Sequence, residues 1–357
     1  MYSGADKLLH RIALGSPALL EATFDIERAT HRGKIAAIAI RRPVFIAGLA
    51  RAGTSILTRL LHAGGDFAAP SYRDLPFPLA PNSWARLGGK RHVEASERGH
   101  GDGLTHDLDS PEAIEEVFWR ALEGHRYLKR DGLAPVAPDK ETLSRFRDYL
   151  RMVLLRHGGT RYLSKNNNNV LRIEGLVDAF PDASLVHPFR DPLQQALSLL
   201  TQHLRAVVLA EEDPFRRRYM AWLGHHEFGA DRRPFLFEGA PTQGEDATRV
   251  DYWLKLWDAV YRALLAAPGR VQERQLFLDY DALCTAPRTY APRLAVLVEA
   301  PIDTASLRAP DLRHAEADPA LLARAGETHA RLQARFRGSS TRGLTLAPPP
   351  GTVNVRD

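Results

Sequence analysis

The sequence predicts an α/β fold in three layers, a parallel sheet flanked on both faces by helices. Two strand–turn–helix units, and the alternation of strand and helix patterns around them, predict it. The first unit spans residues 43–61, PVFIAGLARAGTSILTRLL. It reads as a buried strand at 44–47, a glycine-bounded turn at 48–53, and a helix opening at Thr54 and Ser55. The second spans residues 183–199, ASLVHPFRDPLQQALSL. A strand at 184–189 is turned by Arg190, Asp191 and Pro192 into a helix at 193–204, with apolar residues at Leu193, Ala196, Leu197, Leu200 and Leu204. Ligands of such sheets bind outside the carboxyl ends of the strands. Arg51 and Arg190 each follow a strand end, so both are expected at one crevice.

Taken in order, residues 1–40 carry helical spacing (Leu8, Leu9, Ile12, Leu19, Leu20, Ile35, Ile38) and are expected to form a helical N-terminal extension. Residues 41–340 would form the α/β domain. Within it, residues 68–111 are rich in Pro, Gly, His and charge and read as an irregular segment, the kind of long loop that carries function. Ser110 and Pro111 mark a helix start. Amphipathic helices are expected at 139–157 and 251–266, and a short helix at 173–180. The aromatic stripe of Trp253 and Trp257 reads as core. Residues 205–250 are charged and aromatic and are expected to supply helical lid insertions. A late strand lies at 276–278, and the tail at 341–357, with Pro348, Pro349 and Pro350, reads as loose.

Composition narrows the function classes. The chain has 357 residues, 44% hydrophobic and 25% charged, as a large soluble domain would. A formal charge of +5 suits an anionic ligand, but no dense basic run with interleaved aromatics points to nucleic acid. The one cysteine, Cys284, allows no intrachain disulfide, and the histidines show no metal-ligand spacing, so a reducing cytoplasm and no metal are expected. No long apolar segment suggests a signal peptide or membrane span.

Glycines at 48 and 53, between a strand and a helix, give a P-loop-like spacing. Backbone N–H groups and a helix dipole there converge on one anion. A nucleoside triphosphatase needs a lysine directly after the second glycine. Here Gly53 is followed by Thr54, and the cation of the loop is Arg51. The loop is built to hold a phosphate and poorly built to split a triphosphate.

The run Gly48, Leu49, Ala50, Arg51, Ala52, Gly53, Thr54, Ser55 resembles the 5′-phosphosulfate loop of sulfotransferases that use 3′-phosphoadenosine 5′-phosphosulfate (PAPS). Arg190, Asp191 and Pro192, with Ser198 eight residues after the arginine, resemble the 3′-phosphate motif of the same superfamily. The stretches 162–166 and 180–183 match the segment that precedes that motif, and 276–283 with Pro287 matches a late one. The resemblance covers residues 43 to about 290 and implies a PAPS-dependent sulfotransferase of the soluble bacterial type. It implies that Gly48, Arg51, Ala52, Gly53, Thr54 and Ser55 hold the 5′-phosphate, and that Arg190 and Ser198 hold the 3′-phosphate. Arg51 and Lys165 would meet the charge of transfer. The acceptor would be a hydroxyl or amine of a small molecule, lipid or saccharide.

In some relatives a histidine two residues after the Lys165 position takes the acceptor's proton. Here that residue is Asn167, whose amide cannot. Others use a carboxylate after the first helix, and Asp74 is the only one in that window, which makes it the expected acidic base. His92, His100 and His106 are the next candidates. A P-loop kinase or NTPase, and a non-catalytic binding protein of the same fold, are the alternative readings.

Overall fold

Three hydrophobic residues in a row, Val44, Phe45 and Ile46, form the central strand because both faces of the sheet are covered there. The structure is a computed structural model describing residues 3–87, 96–97, 105–106, 113–309 and 311–342. Strands β1 (Val44–Ile46), β2 (Phe67–Ala68), β3 (Arg161–Lys165), β4 (Ser184–Phe189) and β5 (Gln275–Asp279) lie in the order β2-β3-β1-β4-β5. Every pairing is parallel. Ile46 lies level with Lys165 on one side and Val186 on the other, so the carboxyl ends of the three middle strands open at one edge.

Alternation along β1 splits the core in two. Phe45 faces an aromatic cluster with Phe118, Trp119, Phe146 and Phe180. Val44 and Ile46 face Leu57, Leu61, Leu163, Val186 and Leu278. The helices Glu116–Tyr127, Lys140–His157 and Val250–Leu265 cover the first face, and Thr54–Ala63 and Pro287–Val298 cover the second.

The N-terminal residues form three helices, Gly4–Gly15, Pro17–Thr30 and Arg32–Ala36. They bury Leu14, Leu20, Phe24 and Ile35 in the aromatic core. Arg28 pairs with Asp148 at 2.6 Å, and Arg145 reaches Glu21 at 2.7 Å and Asp25 at 2.9 Å. The buried Glu27 carboxylate accepts from the Asn82 amide N–H at 2.8 Å.

Several elements differ from the sequence reading. The helix expected at 193–204 spans Pro192–Glu212, because Ala206, Leu209 and Ala210 prolong a good helix until Asp213 caps the next one, Pro214–Trp222. Two short strands, β2 and β3, and the helix Pro319–Arg342 had no counterpart in it. The helix start at Ser110 and Pro111, most of the tail, His92 and His100 lie outside the described residues, and of His106 only the backbone is described. Among the described residues, no helix is long and apolar enough to cross a membrane.

His187 on β4 is fully buried. Its Nδ1–H donates to the Ala47 carbonyl, which leaves Nε2 to accept from Gln275 Nε2 at 3.2 Å. Both ring nitrogens are thus committed as a neutral imidazole. Burial pushes its pKa down from 6.5 to about 4, against the opposing pull of the Ala47 carbonyl. The folded protein therefore binds fewer protons than the unfolded chain below pH ~6.5. This contribution is complete above that value and is lost as pH falls toward 4, on the order of 3 kcal/mol. Denaturant midpoints measured between those limits should fall steadily in the wild type, and more shallowly in His187→Gln, whose amide has no such titration.

Candidate active site

The loop between β1 and the Thr54–Ala63 helix is shaped by two left-handed residues, Arg51 (φ 67°) and Gly53 (φ 86°). A Cβ on Gly53 would meet the Tyr280 ring at 2.4 Å, so both conformation and space demand glycine there. Gly48 sits against the Pro188 carbonyl, and Ala52 is fully buried. The helix opens at Gly53 with no capping side chain, so its first turn points backbone N–H groups outward from the loop.

The second motif meets the first. Arg51 Nε donates to Ser198 Oγ at 3.0 Å, across 147 residues of sequence. Gln195, which the sequence did not single out, braces the junction. Its Nε2 donates to the Ala50 carbonyl at 3.1 Å, while its Oε1 accepts from Trp257 Nε1 at 2.9 Å and from the Arg190 amide at 3.2 Å. The late motif closes the group. Asp281 accepts from Arg190 Nε at 2.7 Å and from the Asp191 amide at 2.9 Å. Asp191 caps the Pro192–Glu212 helix, so Arg190 leaves the sheet at a fixed angle.

Lys165 ends β3, beside the loop, and is 8% exposed. The four asparagines after it read in sequence as a low-complexity run. In the structure they open a 3-10 turn, Asn167–Leu171, wired to buried charge. Asn166 Nδ2 donates to Glu116 at 2.8 Å, Asn169 Nδ2 to Glu115 at 2.8 Å, and Asn168 Nδ2 to the Gly224 carbonyl at 3.3 Å. Arg172 grips Glu116 with both Nη atoms, at 2.9 and 3.2 Å, and lies over Trp119 and Tyr127. Tyr162 donates to Glu115 at 2.9 Å, and burial, reinforced by the Glu115 charge, pushes the Tyr162 phenol pKa upward.

In front of this network opens a cleft of about 960 Å³. Arg51, Thr54, Ser55 and Lys165 line its floor, with Asn167 beside them. The opposite wall comes from the Pro192–Glu212 and Pro214–Trp222 helices and the segment 225–231, including His225, Glu227 and Asp231. The stretch at 205–250 thus supplies much of the wall that faces this floor. Arg190 and Ser198 do not line this cleft themselves; Ser198 joins it through Arg51, and Arg190 is tied to the loop through Gln195.

Asp74 stands apart. It is 1% exposed and absent from the cleft wall. One oxygen accepts from the Ser71 amide at 2.9 Å and from His157 Nε2 at 2.9 Å, and Arg156 lies 3.8 Å from the other. Its carboxylate serves a turn and an ion pair, which corrects the expectation that it would open toward Lys165. Among the described residues, no group of His, Cys, Asp and Glu is arranged to hold a metal ion.

Residues 43–304 match the model of the sulfotransferase family, and the chain belongs to that family. Solved structures similar in fold include sulfotransferase STF1 from Mycobacterium tuberculosis H37Rv, at 15% identity and a TM-score of 0.47, covering 92% of this chain and 85% of that one. STF9 from Mycobacterium avium shows 17% identity and a TM-score of 0.43 over 85% of this chain and 72% of its own. A sulfotransferase from Alicyclobacillus acidocaldarius shows 16% and 0.36 over 84% and 96%. No curated protein sequence matches the chain.

Arg172→Leu should leave Glu116 buried without its cation and cost about 3–5 kcal/mol. Urea unfolding would read this as a lower midpoint at unchanged slope. Gly53→Ala should be comparably damaging to the loop, and calorimetric titration with adenosine 3′,5′-bisphosphate (PAP) should show binding weakened by about tenfold or more.

Proposed function

We propose that the protein transfers a sulfuryl group from PAPS to a hydroxyl or amine of a small-molecule, lipid or saccharide acceptor. The observation that carries this reading is the Arg51–Ser198 hydrogen bond, which joins the two anion-binding motifs at one sheet edge. A donor with phosphate at both the 5′ and 3′ positions of its ribose needs two such anchors side by side. The uncapped helix N-terminus and the cations beside it fit the 5′ end of that donor.

When bound, PAPS supplies an activated sulfuryl group on a phosphate leaving group. Each residue then has a distinct task. The N–H groups at Gly53 to Ser55 and the Thr54 and Ser55 hydroxyls orient the 5′-phosphate. Arg51 and Lys165 face the charge that grows on the departing phosphate oxygen and the sulfuryl oxygens, where preorganised cations act most strongly. Arg190 holds the remote phosphate. Its Nε is committed to Asp281, so its Nη atoms are the ones turned to this task. Ser198 adds a hydroxyl beside it.

These tasks separate experimentally. Arg190→Ala should weaken PAP binding by about ten- to a hundredfold and change turnover little, because a remote phosphate is held equally in ground and transition states. Arg51→Ala and Lys165→Ala should lower turnover by about 10² to 10³ with smaller effects on affinity. Calorimetry with PAP, and label transfer from ³⁵S-PAPS to a panel of acceptors, measure the two quantities. Tight binding of ATP, with none of PAP, would instead support a kinase.

A further inference from the structure

We propose that His225, held by Glu227, is the catalytic residue that takes the proton from the acceptor. The inference rests on the sulfuryl-transfer reading above. His225 and Glu227 line the same cleft as Arg51 and Lys165. His225 Nδ1 lies 3.6 Å from one oxygen of Glu227, and the other oxygen accepts from Asn167 Nδ2 at 3.1 Å. Asn167 is anchored by the buried 3-10 turn, so the carboxylate has a fixed orientation.

Three residues of the described cleft wall are obvious proton acceptors: His225, Glu227 and Asp231. Asp231 is bidentate to Arg217, at 2.7 Å to each oxygen, and that pairing lowers its pKa. Desolvation alone would raise the pKa of Glu227, but the neighbouring His225, with help from a backbone amide and the Asn167 side chain, brings it to about 2. A carboxylate that acidic is a poor base but a good anchor. Because it faces Nδ1, it favours the tautomer with the proton on that nitrogen and the lone pair on Nε2. The cations of this cleft, Lys165 and the arginines, carry no lone pair for the purpose.

The step balances without a further reactant. His225 Nε2 takes the proton of the acceptor O–H or N–H. The electron pair freed on the acceptor forms the new bond to sulfur, as the bond from sulfur to the bridging phosphate oxygen breaks. That bond's electrons leave with the phosphate, toward Arg51 and Lys165. The products are the sulfated acceptor, PAP and an imidazolium beside the Glu227 carboxylate, which then returns its proton to water.

Water can serve as the probe acceptor, with ³⁵S-PAPS as donor and labelled inorganic sulfate as the readout. His225→Ala should lower sulfate release by about 10² to 10⁴, with PAP affinity and melting temperature close to wild type. Added imidazole should restore part of the rate, which no purely structural role predicts. His225→Asn retains a donor toward Glu227 without the basic nitrogen, so it should fold as the wild type does and be equally slow. Glu227→Gln should lower kcat by about tenfold or more at unchanged KM for PAPS, and added imidazole should not help. Wild-type rates in His225→Asn, or losses in His225→Ala that imidazole does not relieve, would overturn the proposal. A wild-type protein that binds PAP yet releases no label would also overturn it, while leaving donor binding intact. Failure to bind PAP at all would instead remove the reading beneath it.

Discussion

Behind the carboxyl edge of the sheet, one guanidinium and two carboxylates are shut away from water, and the geometry in front of them depends on that burial. Arg172, Glu115 and Glu116 are each 1% exposed. Ions so placed are costly unless their hydrogen-bonding capacity is met. Here most of it is met by Trp119, Tyr162, Asn166 and Asn169, together with the twin contact between Arg172 and Glu116, which leaves only Arg172 Nε among these groups without a partner. The 3-10 turn has few other ways to satisfy these groups, so Lys165 before it and Asn167 within it face the cleft. The lid leans on the same carboxylate. A Cβ on Gly224 (φ 80°) would meet Glu116 Cγ at 2.4 Å, and the Gly224 carbonyl receives Asn168. His225 and Glu227 follow directly. One buried cluster therefore sets the height of the floor and of the wall that faces it.

The other half of the site is braced by a neutral amide beside the Arg190–Asp281 pair. Gln195 uses its carbonyl and its amide together, tying the loop at Ala50 to the backbone of Arg190 and to Trp257. A leucine in that place would leave the Ala50 carbonyl and the Trp257 N–H without these partners inside the core. The two halves differ in exposure: the Arg190–Asp281 pair is partly open to water, whereas the Arg172–Glu116 pair is shut away from it.

Much of this was legible in the sequence because it is local. Residues 43–61 carry strand periodicity, turn glycines and a helix start within one stretch, and residues 183–199 do the same. The convergence of the Arg51 loop and the Arg190 motif on one sheet edge followed from the rule for parallel sheets, and the direct hydrogen bond from Arg51 to Ser198 was a finding of the structure. Asp74 misled for an instructive reason. Its place in the chain fits a base, but three residues back stands Ser71, and an aspartate at that spacing turns inward to cap the serine's amide. His225 carries no periodic or glycine signal, and its neighbour Glu227 matters only through Asn167, sixty positions away. The long Pro319–Arg342 helix was passed over because its charged surface dilutes a narrow apolar stripe, of which Ala325 and Leu332 are the fully buried part.

That last helix has a consequence for how the chain comes into being. β5 is an edge strand, and Pro319–Arg342 packs against it. Gln333 donates to Asp279 at the end of β5, and Thr328 Oγ1 donates to the buried Asp258 on the neighbouring helix at 2.6 Å. On a ribosome, the sheet emerges before the helix that packs against its open edge strand. Until it arrives, a row of unpaired backbone groups and the apolar side of β5 stand exposed to other nascent chains.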